Sequence, residues 1–151
     1  MFELIRSMRI DVEEGSASAE AFVGGDHPLF ADHFPGTPLL PGSLVIELAA
    51  QLSGPLAEEV AKVRMGNERW AILGMVRDAR FLSPVFLPAT LNINAEIVRT
   101  EPSSINTNVL VEVNGERVMQ AQLVMMMIET STELAQAIEA RNNRLARWKA
   151  S

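Results

Sequence analysis

Between Gly42 and about Lys62 the chain carries Leu44, Val45, Ile46, Leu48, Ala49, Ala50 and Leu52, which cover nearly every face of a helix. A helix that is apolar all round belongs inside a protein. The rest of the chain therefore has to wrap this segment. Pro41 is well placed at its first turn, where a missing N–H costs nothing. The preceding stretch, Gly24 to Pro41, is rich in Gly and Pro and reads as an ordered loop.

Two polar residues, Glu47 and Gln51, interrupt the apolar run. A glutamate is almost never fully enclosed without a partner, so its placement asks for a chemical reason. The loop before the helix reads HFPGTPLLPG from His33 to Gly42, and its prolines Pro35, Pro38 and Pro41 stiffen the segment that presents His33. An imidazole and a carboxyl group both suit proton transfer near neutral pH. The expectation is that Glu47 enters apolar surroundings and meets His33 there.

The remaining segments are short and patterned for a sheet. Met8 to Glu13 and Ser16 to Val23 flank Glu14-Gly15 as a first hairpin. Trp70 to Phe81 reads as a strand, and Phe81-Leu82-Ser83-Pro84 with Leu87-Pro88 marks a corner. From Thr90 to Thr100, Leu91, Ile93, Ala95 and Ile97 alternate with Asn92, Asn94 and Glu96. Ile105 to Val113 and Arg117 to Ile128 are joined across Asn114-Gly115, a strong hairpin signal. Thr130 with Glu133 predicts a capping box that opens a last helix over about 131–149, striped by Leu134, Ile138, Leu145 and Trp148. An early hairpin, one buried helix, a long antiparallel meander and a final helix make the fold class α+β.

Composition narrows the functions. The 151 residues fit one domain over 1–151, with a core of about 8–128. The formal net charge of −6 speaks against nucleic acid as a partner. No cysteine is present, which excludes disulfides, thiolate zinc sites and thiol nucleophiles and is compatible with a cytoplasmic location. Two histidines do not make a His-rich metal site. No apolar stretch reaches membrane-spanning length, and the start, MFELIRSMRIDVEEG, lacks a secretory apolar region.

HFPGTPLLPGSLVIELAAQ resembles the signature of the FabZ-type (3R)-3-hydroxyacyl-acyl-carrier-protein dehydratases. HPLFADHFPG resembles the lead-in to that motif, ARFLSPVFLPATLNINAEI a following strand block and VNGERVMQAQLVMMMI a final hairpin, so that roughly residues 26–128 are covered. The resemblance implies the hot-dog fold, a curved antiparallel sheet wrapped around one central buried helix. It implies dehydration of a (3R)-3-hydroxyacyl thioester to the trans-2-enoyl thioester. The catalytic pair would be His33 and Glu47, brought together from two subunits of a homodimer. Gly42 would bind the thioester carbonyl, and Gln51 matches a glutamine one helical turn beyond the carboxylate. The partner implied is an acyl carrier protein bearing the acyl chain on phosphopantetheine. No cofactor and no metal are implied, and a larger assembly such as a trimer of dimers is compatible with the pattern. The usual N-terminal block is absent and the final helix is longer than the basic enzyme requires, so a polyketide or polyene pathway stays open beside fatty-acid synthesis; Asp32, which stands where the family usually has glycine, bears on the tuning of His33.

The residue types match the chemistry. His33 can take a proton from C2, and Glu47 can protonate or orient the departing hydroxyl. Gly42 lies at a helix N-terminus, where unpaired N–H groups favour negative charge; such a donor is worth roughly 3 kcal/mol of barrier. Two alternatives remain: a thioesterase in which Glu47 activates water, and a non-catalytic carrier-binding subunit. His27 reads as a capped loop residue, and Met119 with Met125 to Met127 as core filling. Arg64, Arg69, Arg77, Arg80 and Arg99 read as solvated surface, of which a subset could meet an acidic carrier protein.

Overall fold

The computed structural model describes residues 3–66 and 68–151. Met1 and Phe2, which open the N-terminal segment read for a leader, and Asn67 lie outside the described residues. Strands β1 (Ile5–Asp11) and β2 (Ser16–Val23) form the first hairpin, closed by Gly15 at φ 68°. After a short 3₁₀ turn at Pro28–Phe30 comes α1 (Gly42–Met65), and then β3 (Arg69–Phe81) and β4 (Ala89–Thr100). β5 (Ser104–Val113) and β6 (Glu116–Glu129) follow, and α2 (Ala135–Ala150) ends the chain. Asn114 and Gly115 turn between β5 and β6 with φ of 53° and 79°, the left-handed pair that a two-residue hairpin demands.

The sheet runs β1-β2-β4-β5-β6-β3 with every neighbouring pair antiparallel. Period-two alternation in β2, β4, β5 and β6 buries one face of each strand, while β3 is largely exposed. Ala17, Ala19 and Ala21 of β2 and Leu91, Ile93 and Ala95 of β4 are buried on that face, opposite Leu48, Leu52 and Leu56 of the helix. Each of those leucines contributes roughly 1.5–3 kcal/mol by leaving water. This is the hot-dog architecture that the resemblance implies.

The two halves of α1 differ. From Leu52 to Ala57 every residue is buried, including Ser53, Gly54 and Pro55. Thr107 Oγ1 of β5 donates to Ser53 Oγ at 3.0 Å, so the buried hydroxyls partner each other. In the first half only Val45, Leu48 and Ala49 are buried, and Ser43 and Glu47 are exposed. The segment expected to be apolar all round is thus fully enclosed only from Leu52 to Ala57.

The last helix starts later than expected. Leu134 N–H bonds to Ser131 O and Ala135 N–H to Thr132 O, so residues 131–134 make tight turns. Glu133 falls before the helix, and the N-cap is Leu134, without a side-chain cap. The Thr130 capping box is not formed. The helix is held instead by its stripe, with Trp148 buried and Leu145 partly buried, and by ion pairs. Arg141 pairs with Glu58 of α1 and lies 4.3 Å from the Trp70 ring centroid. Glu58 Oε2 also accepts the Ala71 N–H at 3.1 Å. Lys149 pairs with Glu59, while Arg147 and the Trp148 indole N–H both reach Glu3.

Candidate active site

The loop from His33 to Pro41 is set by its own hydrogen bonds. His33 N–H reaches Phe30 O at 3.0 Å, and Leu39 N–H returns to His33 O at 2.7 Å. Within it, Phe34 and Thr37 exchange backbone bonds at 3.1 and 3.0 Å around Gly36, whose φ of 75° suits glycine. The peptide between His33 and Phe34 is cis. Leu40 N–H bonds to Val85 O and Leu87 N–H to Pro38 O, which ties the loop to the corner between β3 and β4.

This framework fixes the imidazole. His33 Nδ1 lies 3.1 Å from the Leu39 carbonyl, an acceptor only, so Nδ1 carries the proton and donates it. Nε2 is then the basic nitrogen. The ring is half-buried and stacks on Phe34 at 4.6 Å. Leu39 carries no signal of this role in the sequence, because it is the backbone oxygen that acts.

Pro41, with φ −59° and ψ 138°, is the N-cap of α1, one position earlier than expected, and the helix begins at Gly42. The first-turn N–H groups of a helix have no intrahelical acceptor. A Cβ at Gly42 would lie 2.8–2.9 Å from atoms of the Phe81 ring, so glycine lets that ring close over the helix start. The sequence marks Phe81 only as a corner residue, and its close packing on Gly42 is not legible from spacing.

Glu47 sits on the second turn of α1, and its Oε1 accepts a hydrogen bond from Gln51 Nε2 at 3.2 Å. Within the single chain the carboxyl is exposed, so the enclosure expected for Glu47 is not supplied by its own chain. The open stripe of α1 carries it outward instead of toward the sheet. Among the described residues no hydrogen bond, ion pair or ring contact joins Glu47 to His33. The chain brings Glu47 and Gln51 together and places Gly42 at the head of the same helix. His33 stands on the loop that leads into it. No group of metal-ligating side chains is present among the described residues.

The family profile described as the FabA-like domain matches residues 1–122. The chain belongs to the FabA-like family. Among relatives of this FabA-like chain is the 3-hydroxyacyl-[acyl-carrier-protein] dehydratase FabZ of Mannheimia succiniciproducens, 33% identical over 116 residues, 76% of each protein. The FabZ of Myxococcus xanthus is 30% identical over 112 residues, 74% of this chain and 72% of the relative. Solved structures agree on the fold. The dehydratase heterocomplex ApeI:P from Xenorhabdus doucetiae superposes with a TM-score of 0.66 at 18% identity, covering 90% of this chain and 89% of the other. The mutant thioesterase PA1618 from Pseudomonas aeruginosa gives 0.59 at 15% identity, covering 76% of each.

Proposed function

We propose that this FabA-like chain, acting as one domain over residues 1–151, dehydrates (3R)-3-hydroxyacyl groups carried as thioesters on an acyl carrier protein. The products are the trans-2-enoyl thioester and water. The observation that carries the reading is the His33 tautomer. Its Nδ1–H donates to the Leu39 carbonyl at 3.1 Å, which holds the ring and leaves Nε2 as the nitrogen that faces the substrate in this reading. It stands in the motif HFPGTPLLPG, which leads directly into the helix of Glu47.

In the reaction, His33 Nε2 takes the proton from C2, beside the thioester carbonyl. Negative charge gathers on the thioester oxygen, where the first-turn N–H of Gly42 receives it. The C3–O bond breaks as Glu47 gives the leaving hydroxyl a proton, and water departs. Passing the proton from His33 back to Glu47 restores both groups. Gln51 Nε2 engages Glu47 Oε1 and so leaves Oε2 for the substrate hydroxyl. Gln51 is a positioning residue in this scheme.

The site is completed by a second copy. Among the described residues β3 is an edge strand paired with β6 alone, and Ile72, Leu73, Met75 and Val76 leave apolar surface exposed along it. A long edge strand of this kind is a template for pairing with another chain. Pairing at β3 covers the open stripe of α1, encloses Glu47 and lets His33 of one copy meet Glu47 of the other. No helix among the described residues is long and apolar enough to cross a membrane. We place the enzyme in the cytoplasm, in fatty-acid or polyketide synthesis.

The test is direct. A (3R)-3-hydroxyacyl thioester on a carrier protein is incubated with the purified chain, and the acyl product is followed by mass spectrometry. Loss of one water from the intact thioester is the expected result. Release of free thiol, with no enoyl product, would show a thioesterase instead.

A further inference from the structure

Along α1 the positions Ser43, Glu47, Ala50, Gly54 and Glu58 follow one another at spacings of three and four, so they share one face. That face runs beside β3. The ring of Phe81 closes on Gly42 at one end of the strand, and at the other Ala71 meets both Gly54 and Glu58. Between these ends Leu73 and Val76 pair in register with Met125 and Leu123, which are buried, so all four turn toward the helix. Leu73 and Val76 nevertheless stay 38% and 37% exposed. Helix and strand thus leave a trough between them, floored by aliphatic side chains and open where Ser43 and Glu47 are exposed.

The trough narrows toward Gly54. Ala50 is half-buried, and Gly54 is buried. A Cβ at Gly54 would already touch Ala71 O and Met125 Cε at 3.8 Å, so the gap between helix and strand has shrunk to the width of one methyl group. Beyond it Glu58 Oε2 accepts the Ala71 N–H at 3.1 Å and holds the start of β3 on the helix. Glu58 is itself gripped from α2. Arg141 Nη1 donates to Oε2 at 3.0 Å and Nη2 donates to Oε1, the paired fork that fixes a carboxylate in orientation. The same guanidinium lies over the ring of Trp70, the neighbour of Ala71 in the chain. α2 lies beyond the residues that the FabA-like profile matches. Its far end is anchored elsewhere, at Glu59 and Glu3.

We propose that α2 sets the longest acyl chain the site accepts, with Arg141 and Glu58 shutting β3 on Gly54 as the end wall of the trough. This rests on the dehydratase reading for the placing of the thioester at Gly42 and of C3 at Glu47. The acyl tail beyond C3 then runs past Ala50 over Leu73 and Val76, the apolar lining that takes such a tail out of water. From Glu47 to Gly54 the helix rises roughly 10 Å. A C–C bond of about 1.5 Å advances an extended chain by about 1.3 Å per carbon, which gives room for about eight carbons after C3. A decanoyl group fits, and a hexadecanoyl group meets the wall. Arg141 and Glu58 lie away from the reacting atoms and act as positioning residues for the wall.

The test is a chain-length series. (3R)-3-Hydroxybutanoyl, 3-hydroxydecanoyl and 3-hydroxyhexadecanoyl groups on a bacterial acyl carrier protein are given to wild type, R141A, E58Q and the control K149A, which releases the other end of α2 from Glu59. Wild type should accept the first two and lose about tenfold or more in kcat/KM on the third. R141A should raise the hexadecanoyl-to-decanoyl ratio of kcat/KM by about tenfold, the worth of burying about two more methylenes. E58Q leaves no carboxylate without its countercharge, should move the ratio the same way, and stands in for R141A if that variant does not fold. K149A should keep the wild-type ratio. A destabilised fold lowers all three rates together, whereas an opened wall changes the ratio. A wild type indifferent to length, a ratio unmoved in R141A and E58Q, or a ratio that K149A moves as far overturns the proposal. Should wild type dehydrate none of the three, the dehydratase reading itself has failed. The wall is then read from fluorescence anisotropy of labelled carrier protein loaded with saturated decanoyl or hexadecanoyl groups: tighter binding of the hexadecanoyl carrier alone by R141A and E58Q upholds it, and binding equal to wild type overturns it.

Discussion

The two halves of α1 solve different problems with the same helix. From Leu52 to Glu58 the helix is finished: every side chain to Ala57 is buried, Ser53 is partnered by Thr107, and Glu58 is held by Arg141. Between Gly42 and Gln51 it is unfinished, with Ser43 and Glu47 exposed and Gln51 half-buried. Buried packing concentrates where the chain closes on itself, and the groups to which we assign chemistry lie where it does not. The groups assigned to catalysis therefore carry little of the folding energy, while the groups that carry folding energy lie remote from the reacting atoms. Each variant below sets one side of this division against the other.

The largest effect belongs to the open half. His33→Ala and Glu47→Gln should each lower kcat by about 10²–10⁴-fold, the range expected for removing a general base or acid. Because Glu47 is exposed in the chain, thermal unfolding of Glu47→Gln should stay within about 2 °C of wild type. Turnover and Tm measured on the same preparation decide the matter. A Glu47→Gln protein that unfolds early would mean that the open half also carries the fold.

The closed half should show the reverse. Glu58 and Arg141 are each 13% exposed, and Glu58 also accepts the Ala71 N–H. Arg141→Ala leaves that carboxylate without its countercharge under α2. Removing one partner of a buried pair costs about 3 kcal/mol, or roughly 10 °C in Tm for a domain of this size. At a temperature well below the transition, kcat should be unchanged. Denaturation followed by circular dichroism, alongside the dehydration assay, would show both.

A smaller effect is expected where the halves meet. A Cβ at position 42 would stand 2.8 Å from the Phe81 ring, and Phe81 is 53% exposed and can swing aside. Gly42→Ala should therefore cost activity rather than stability, about tenfold in kcat/KM, because the displaced ring moves into the mouth over the helix start. Adding Phe81→Ala should recover some of the loss on a small thioester. An unchanged rate in Gly42→Ala would remove the ring from the account of the site.

Much of this division is legible in the sequence, and the gaps have physical causes. Period-two alternation in Thr90–Thr100 and the Asn114-Gly115 turn locate β4 and the β5–β6 hairpin because both signals are local. The loop of His33 and the helix of Glu47 are legible for the same reason. The exposure of Glu47 is not, since an apolar run reports what a helix buries in its final assembly and not how much of it a single chain covers. The capping box at Thr130 fails because the backbone bonds at Ser131 and Thr132 satisfy the turn first. The link from Glu58 to Arg141 joins residues 83 positions apart, and no pattern of spacing announces it.

The smallest effect concerns how α2 holds on in acid. Glu3 keeps its proton-free form below the usual glutamate range, chiefly because the Trp148 indole N–H donates to it and secondarily because Arg147 does, against a desolvation that acts the other way. A carboxylate with a lowered folded pKa adds stability that is fully present above its ordinary value of 4.5 and is lost as pH falls through the folded value. Glu3→Gln should thus melt below wild type at neutral pH, and the difference should close as pH falls below 4.5. Trp148→Phe should shrink the pH-dependent share of that difference while lowering stability at every pH, because it removes the hydrogen bond along with some of the packing. Arg141→Ala, by contrast, should stay well below wild type in Tm at neutral pH, where the Glu3 contribution is at its full value. A Glu3→Gln curve that runs parallel to wild type from neutral pH down through the acid limb would show that α2 is held by its apolar stripe and its pairs with Glu58 and Glu59, without Glu3.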